Sequence, residues 1–170
     1  MHRLILMRHA KAERDAPSGR DRDRSLTPRG RADAALMGRA LAERGLRPDR
    51  ALVSAAERTR QTWDSAQDAL GDVEVRLEDA LYNATPDTLR RFVEASEDEV
   101  GCLIVVAHNP GVQLLAIEYL TESAASPSVL DRLAGGFPTG AAAVFAVDVA
   151  GRCAFEGFLT PKALGGGADE

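Results

Sequence analysis

Apolar residues fall in short runs separated by longer polar stretches, and that alternation predicts most of the elements. Arg3 to Met7 is a run too short for a helix, so it predicts a buried strand that ends at Arg8-His9. Ala12 to Ser25 holds Pro17, Gly19 and many charges with no lasting period, which predicts a loop able to cover that strand end. Thr27-Pro28 supplies a cap and a first-turn proline, and Ala32, Ala35, Leu36, Met37, Ala40 and Leu41 continue a helical stripe to Gly45. Arg50 to Ser54 predicts a second strand, Ala56 to Leu70 a helix closed by Gly71, and Val73 to Leu77 a third strand. Tyr82 and Asn83 lie in a loop before a helix that opens at Pro86-Asp87, with Leu89, Phe92 and Val93 on its apolar side. The uncharged run Gly101 to Ala107 reads as a central strand and leads into His108-Asn109-Pro110-Gly111 and an apolar helix over Val112 to Leu120. Ala141 to Val149 and Cys153 to Phe158 predict two more strands, separated by Gly151 and able to form a hairpin.

Strand followed by helix, repeated, predicts an α/β fold: a three-layer sandwich with a mainly parallel central sheet flanked by helices. At 170 residues the chain is one domain and can bury a core without metal or disulfide support. That domain is expected over residues 1–164, with the glycine-rich tail 165–170 disordered. No apolar stretch reaches membrane-spanning length, and the first apolar run is too short for a signal peptide, so the cytoplasm is expected. Cys102 and Cys153 lie in apolar stretches without a CxxC pair, which predicts buried thiols.

Charge changes the picture only locally. The net charge is -5, yet residues 1–60 carry 15 basic and 8 acidic side chains while the rest carry 6 and 18. Such asymmetry raises nucleic acid as a partner, but the first half lacks stacking aromatics and its arginines sit among acids in helix-like stretches. A small anionic substrate accounts for a few convergent arginines without any nucleic acid.

In an open α/β sheet, ligands gather at the carboxyl ends of strands. Three apolar runs end there in reactive groups: the first in Arg8-His9, the second in Ser54 followed by Arg58, and the fourth in His108. His2 precedes the first strand and is expected to face solvent. Neither strand-end histidine belongs to an HxH or HExxH pattern, and crowded arginines oppose a cation, so no metal and no cofactor are expected. A phosphoryl group suits the set better: a neutral imidazole can attack phosphorus, and guanidiniums can hold the equatorial oxygens. Arg58 is favoured over Arg60, which should point elsewhere on a helix, and Arg29 and Arg31 read as surface charges.

These residues stand in the segments "LILMRHAKAE", "DRDRSLTPRGRADA", "LVSAAERTRQT", "ALYNATPDTL" and "LIVVAHNPGV", followed by "FPTGAAAVF" and "GFLTPKAL". In this order they resemble the histidine phosphatase superfamily, and within it the SixA-type phosphohistidine phosphatase branch. The resemblance implies a phosphoglycerate mutase-like fold and a covalent mechanism in which His9 is phosphorylated. Arg8, Arg58 and a charged His108 would clamp the phosphoryl oxygens, with the backbone N–H of Asn109 as a further donor. It also implies that Glu78 or Asp79 stands where larger relatives place a proton donor. Ala10 replaces the common glycine after the catalytic histidine, and the insertions of the mutases are missing, which favours hydrolysis. Phosphohistidine or another activated phosphate is the expected substrate, carried by a phosphorylated histidine-containing protein or a small molecule. A broad metabolite phosphomonoesterase and a noncatalytic phosphate-responsive domain are the alternatives. The mixed charges of the 13–24 loop could steer a protein partner or only keep the loop solvated.

Overall fold

The computed structural model describes residues 1–167. Its elements run β1 (Arg3–Arg8), α1 (Pro28–Glu43), β2 (Arg50–Ser54), α2 (Glu57–Gln67), β3 (Glu74–Glu78), α3 (Pro86–Ser96), β4 (Cys102–Ala107), α4 (Gly111–Glu122), α5 (Pro127–Ala134), β5 (Ala142–Val147) and β6 (Cys153–Leu159). The strands form one sheet in the order β3-β2-β4-β1-β5-β6. The first three pairings of that order are parallel, and β5 joins β1 and β6 antiparallel, so the expected hairpin closes one edge.

β1 and β4 are buried on both faces, which is why their sequences read as unbroken apolar runs and not as alternation. Leu4, Leu6, Leu103 and Val105 face a core with Leu89, Leu115, Leu120 and Phe145. Ile5, Met7, Ile104 and Val106 face a second core with Met37, Leu41 and Trp63. The helices start where the sequence places caps: the Thr27 hydroxyl accepts from Gly30 N at 2.9 Å and the Thr85 hydroxyl from Thr88 N at 3.2 Å. Gly45, just past the first helix, takes φ +71°, a left-handed conformation suited to glycine.

Three segments add to what the sequence predicts. Residues 121–140 carry no sequence-based element, yet α5 forms there; it is eight residues long and buries only Leu133, too little for a periodic signal. The 13–24 loop, expected to cover the first strand's end, contains a 3-10 turn at Asp21–Asp23 that contacts α2. The tail is anchored at its start: Gly166 N donates to Pro161 O at 2.8 Å and Gly167 N to Asp33 Oδ1 at 3.1 Å. The remainder of the expected disordered tail, residues 168–170, lies outside the described residues.

Candidate active site

β1 and β4 are parallel neighbours with Arg8 opposite Ala107, so the next residues, His9 and His108, leave the sheet side by side. Their ring centroids are 5.4 Å apart at 55°. Both rings are buried, at 8% and 4% exposure.

Each ring is oriented by one hydrogen bond. His9 Nδ1 lies 2.7 Å from the Ala10 carbonyl oxygen, which can only accept, so the proton is on Nδ1 and Nε2 keeps its lone pair. The same Ala10 donates its N–H to Thr62 Oγ1 at 2.9 Å, and Thr62 donates to Arg58 O at 2.7 Å, which ties the His9 turn to α2. Across the sheet, His108 Nε2 is 2.7 Å from the Ser54 hydroxyl at the end of β2. With Ser54 donating, the His108 proton sits on Nδ1, and that buried nitrogen has no partner among the described residues. A ligand oxygen is the kind of group that would satisfy it.

Burial lowers the pKa of His9 to about 4, with the charges of Arg58, Arg8 and Arg24 adding to the effect and the Ala10 carbonyl opposing it. Burial also takes His108 down to about 3, helped by Arg58 and His9. Burial and the neighbouring arginine thus favour the neutral form of His108, while a phosphoryl anion beside the ring would favour the charged form. A neutral His108 can still donate through Nδ1–H.

Arg58, in the first turn of α2, is buried to 5% exposure. Its Nη1 donates to Asp21 O at 2.9 Å and its Nη2 to Asp21 Oδ2 at 3.1 Å. Arg60 is exposed and pairs with Glu57 at 2.8 Å, as its helix position predicts. Arg8 Nη1 donates to Phe137 O at 3.0 Å, and Asn109 Nδ2 reaches the same carbonyl at 3.2 Å. Asn109 Oδ1 accepts from Gln113 N at 3.2 Å, so this side chain secures the start of α4. Neither candidate proton donor makes a hydrogen bond to His9 or His108. Asp79 is 80% exposed and paired with Arg22. Glu78 lies opposite Ser54 in the β2–β3 ladder, half-buried, and its carboxylate makes no hydrogen bond among the described residues. His2 is exposed, as expected. No group of three or more His, Cys, Asp or Glu side chains among the described residues is placed to hold a metal ion.

Tyr82 closes one side. Its ring meets His108 edge-on at 5.6 Å, and the guanidinium carbons of Arg22 and Arg58 lie 5.7 and 5.8 Å from its centroid. The Tyr82 hydroxyl donates to Asp21 Oδ2 at 2.5 Å, and Arg24 Nη1 donates to Asp21 Oδ1 at 2.8 Å. The bonds from Tyr82 and Arg24 hold the Asp21 carboxyl far below the usual carboxylate range. Sequence reasoning noted Ser54 only as a strand end and left Asp21 and Thr62 without a role. Ser54 carried a usable signal, a polar residue ending an apolar strand. Asp21 carried none, because its partner lies 37 residues away in another element.

Residues 4–85 match the family model of the histidine phosphatase superfamily, branch 1. An uncharacterised protein of Mycobacterium tuberculosis is 37% identical over 163 residues, covering 92% of this chain and 100% of its own length. The chain belongs to the histidine phosphatase superfamily. Among solved histidine phosphatases, one from Agrobacterium tumefaciens, provisionally assigned as phosphohistidine phosphatase SixA, matches with a TM-score of 0.83 and 34% identity over 94% of this chain and 98% of that one. The protein histidine phosphatase SixA complexed with tungstate matches with a TM-score of 0.78 and 25% identity, over 95% of this chain and 99% of that one. The fold is the phosphoglycerate mutase-like α/β sandwich of this superfamily.

Proposed function

We propose that this histidine phosphatase hydrolyses phosphohistidine or a similarly activated phosphoramidate through a covalent intermediate on His9. The observation that carries the reading is the pair of buried imidazoles 5.4 Å apart, His9 with its Nδ1 bonded to Ala10 O so that Nε2 can attack, and His108 with an Nδ1 that has no partner among the described residues. In the first step Nε2 of His9 bonds to phosphorus as the bond to the leaving nitrogen breaks. In the second, water attacks phosphorus, the N–P bond to His9 breaks, and inorganic phosphate leaves. Arg8, Arg58 and His108 Nδ1–H hold the phosphoryl oxygens, so charge developing in transfer meets fixed donors. The tungstate bound by SixA is an oxyanion of the same kind.

Preference for a P–N bond follows from the proton supply. A departing alkoxide needs a general acid, whereas a departing imidazole can carry its own proton. The carboxyl hydrogen-bonded to Arg58 and Tyr82, Asp21, is held ionised and cannot serve, and Asp79 is engaged by Arg22 at the surface. A phosphorylated histidine on a partner protein is the substrate class that fits. Rapid quenching with ³²P-labelled phosphoramidate should give an acid-labile label on His9 that disappears in His9→Ala, and turnover of a phosphohistidine protein should exceed that of a sugar phosphate. A label on another residue, or preference for the sugar phosphate, overturns the reading. Asp79→Asn should leave phosphohistidine turnover within about twofold of wild type, since exposed ion pairs contribute little.

A further inference from the structure

An oxyanion site normally gains from every positive charge it can keep, yet here a carboxylate from the 13–24 loop sits on the buried arginine. Asp21 receives both hydrogen bonds that Arg58 makes among the described residues, one on its carbonyl oxygen and one on its carboxylate. Oδ2 is shared with the Tyr82 hydroxyl, and Oδ1 takes Arg24. Asp21 is thus the point where the loop, the first turn of α2 and the Tyr82 segment are joined.

Geometry assigns it more than a link between segments. A guanidinium has five N–H donors in one rigid plane. Two of the Arg58 donors are taken by Asp21, one on each terminal nitrogen, which fixes the plane and leaves three N–H groups for a ligand. Without that fork, a long arginine side chain loses its fixed direction even though its stem stays buried. The carboxylate also sets the face of Tyr82, whose ring edge touches His108.

We propose that Asp21 is a positioning residue for the phosphatase reaction: it holds the Arg58 guanidinium in the orientation required at the transition state, while its negative charge weakens ground-state attraction for anions. The inference rests on the proposed function only in taking Arg58 as a phosphoryl ligand. Orientation acts on the transition state, and the opposing charge acts on every bound anion, so kcat and KM respond differently when Asp21 is lost.

The test compares wild type with Asp21→Asn and Asp21→Ala on p-nitrophenyl phosphate, with tungstate binding followed by calorimetry. Asp21→Ala is expected to lower kcat at least tenfold with KM no higher than wild type, and Asp21→Asn to fall between the two. Asp21→Asn, which removes the charge and keeps the shape, is expected to bind tungstate at least threefold more tightly. Tyr82→Phe removes one donor to Oδ2 and should lower kcat in the same direction by a smaller factor, which gives a second reading if Asp21→Ala folds poorly. A raised KM with unchanged kcat would reduce Asp21 to a loop anchor, and a kcat/KM above wild type would make it only a plug; either outcome overturns the proposal. Unchanged tungstate affinity in Asp21→Asn does the same. If wild type gives no label on His9 and no turnover, the proposed function fails, and the tungstate measurement still decides whether Asp21 acts on the anion site.

Discussion

Ser54 shows how one hydroxyl can decide the chemistry of a neighbour. Its hydroxyl lies 2.7 Å from His108 Nε2, and as the donor of that contact it would leave the ring proton on Nδ1, the nitrogen with no partner among the described residues. In Ser54→Ala both tautomers become available and Nε2 loses its partner, a loss worth about 1–2 kcal/mol. We expect kcat/KM to fall about tenfold, and ¹⁵N NMR of the imidazole to show a mixture of tautomers at His108; a single unchanged tautomer contradicts this role. Ala10 illustrates a departure that the backbone accepts. It stands where the superfamily commonly has glycine, but it does not take a positive φ, so the extra methyl meets no backbone penalty. Both histidines were visible in the sequence because an apolar run that stops at a polar residue marks a strand end. Their protonation was not visible, because desolvation depends on what covers the ring.

Between elements, two helix backbones come close where α1 crosses α2. A Cβ built on Gly38 would stand 2.3 Å from the Ala66 carbonyl oxygen, backbone that can yield only if the helices separate. Helix propensity alone predicts that Gly38→Ala stabilises by about 1 kcal/mol. Overpacking at this contact acts in the other direction, and we expect a net loss of about 1–3 kcal/mol, read as a lower urea midpoint with an unchanged slope. Since α2 carries Arg58 and Thr62, the same variant should also lower kcat. The sequence showed that both helices exist, through the Thr27-Pro28 start and the apolar stripe of the first. Their crossing distance could not be read from it, since a glycine on a helix has the same appearance whether or not another backbone lies against it. α5 was missed for a related reason: it is short and touches the core at one buried residue.

For the molecule as a whole, the buried imidazoles couple stability to pH. The folded chain keeps His9 and His108 neutral down to about 4 and about 3, whereas an unfolded histidine protonates near 6.5. Between those values the unfolded state binds more protons, so stability is full above the unfolded pKa and is lost as pH falls. The melting temperature is expected to drop from pH 7 to pH 5, with a shallower drop in His108→Asn; equal slopes would show that the rings do not drive it. The acid limb of kcat/KM, corrected for substrate ionisation, should lie near pH 4 and not near 6.5, because that parameter reports the free enzyme.

By itself the chain determined the order of strands and helices, the strand ends where polar chemistry begins, and the superfamily to which it belongs, because these depend on neighbours along the sequence. Only the tertiary structure decided which nitrogen of His9 is free, that burial pushes His108 toward its neutral form, that Asp79 pairs with Arg22 at the surface, and that Asp21 grips Arg58. Those properties arise from burial and from contacts between residues tens of positions apart, which no local pattern records.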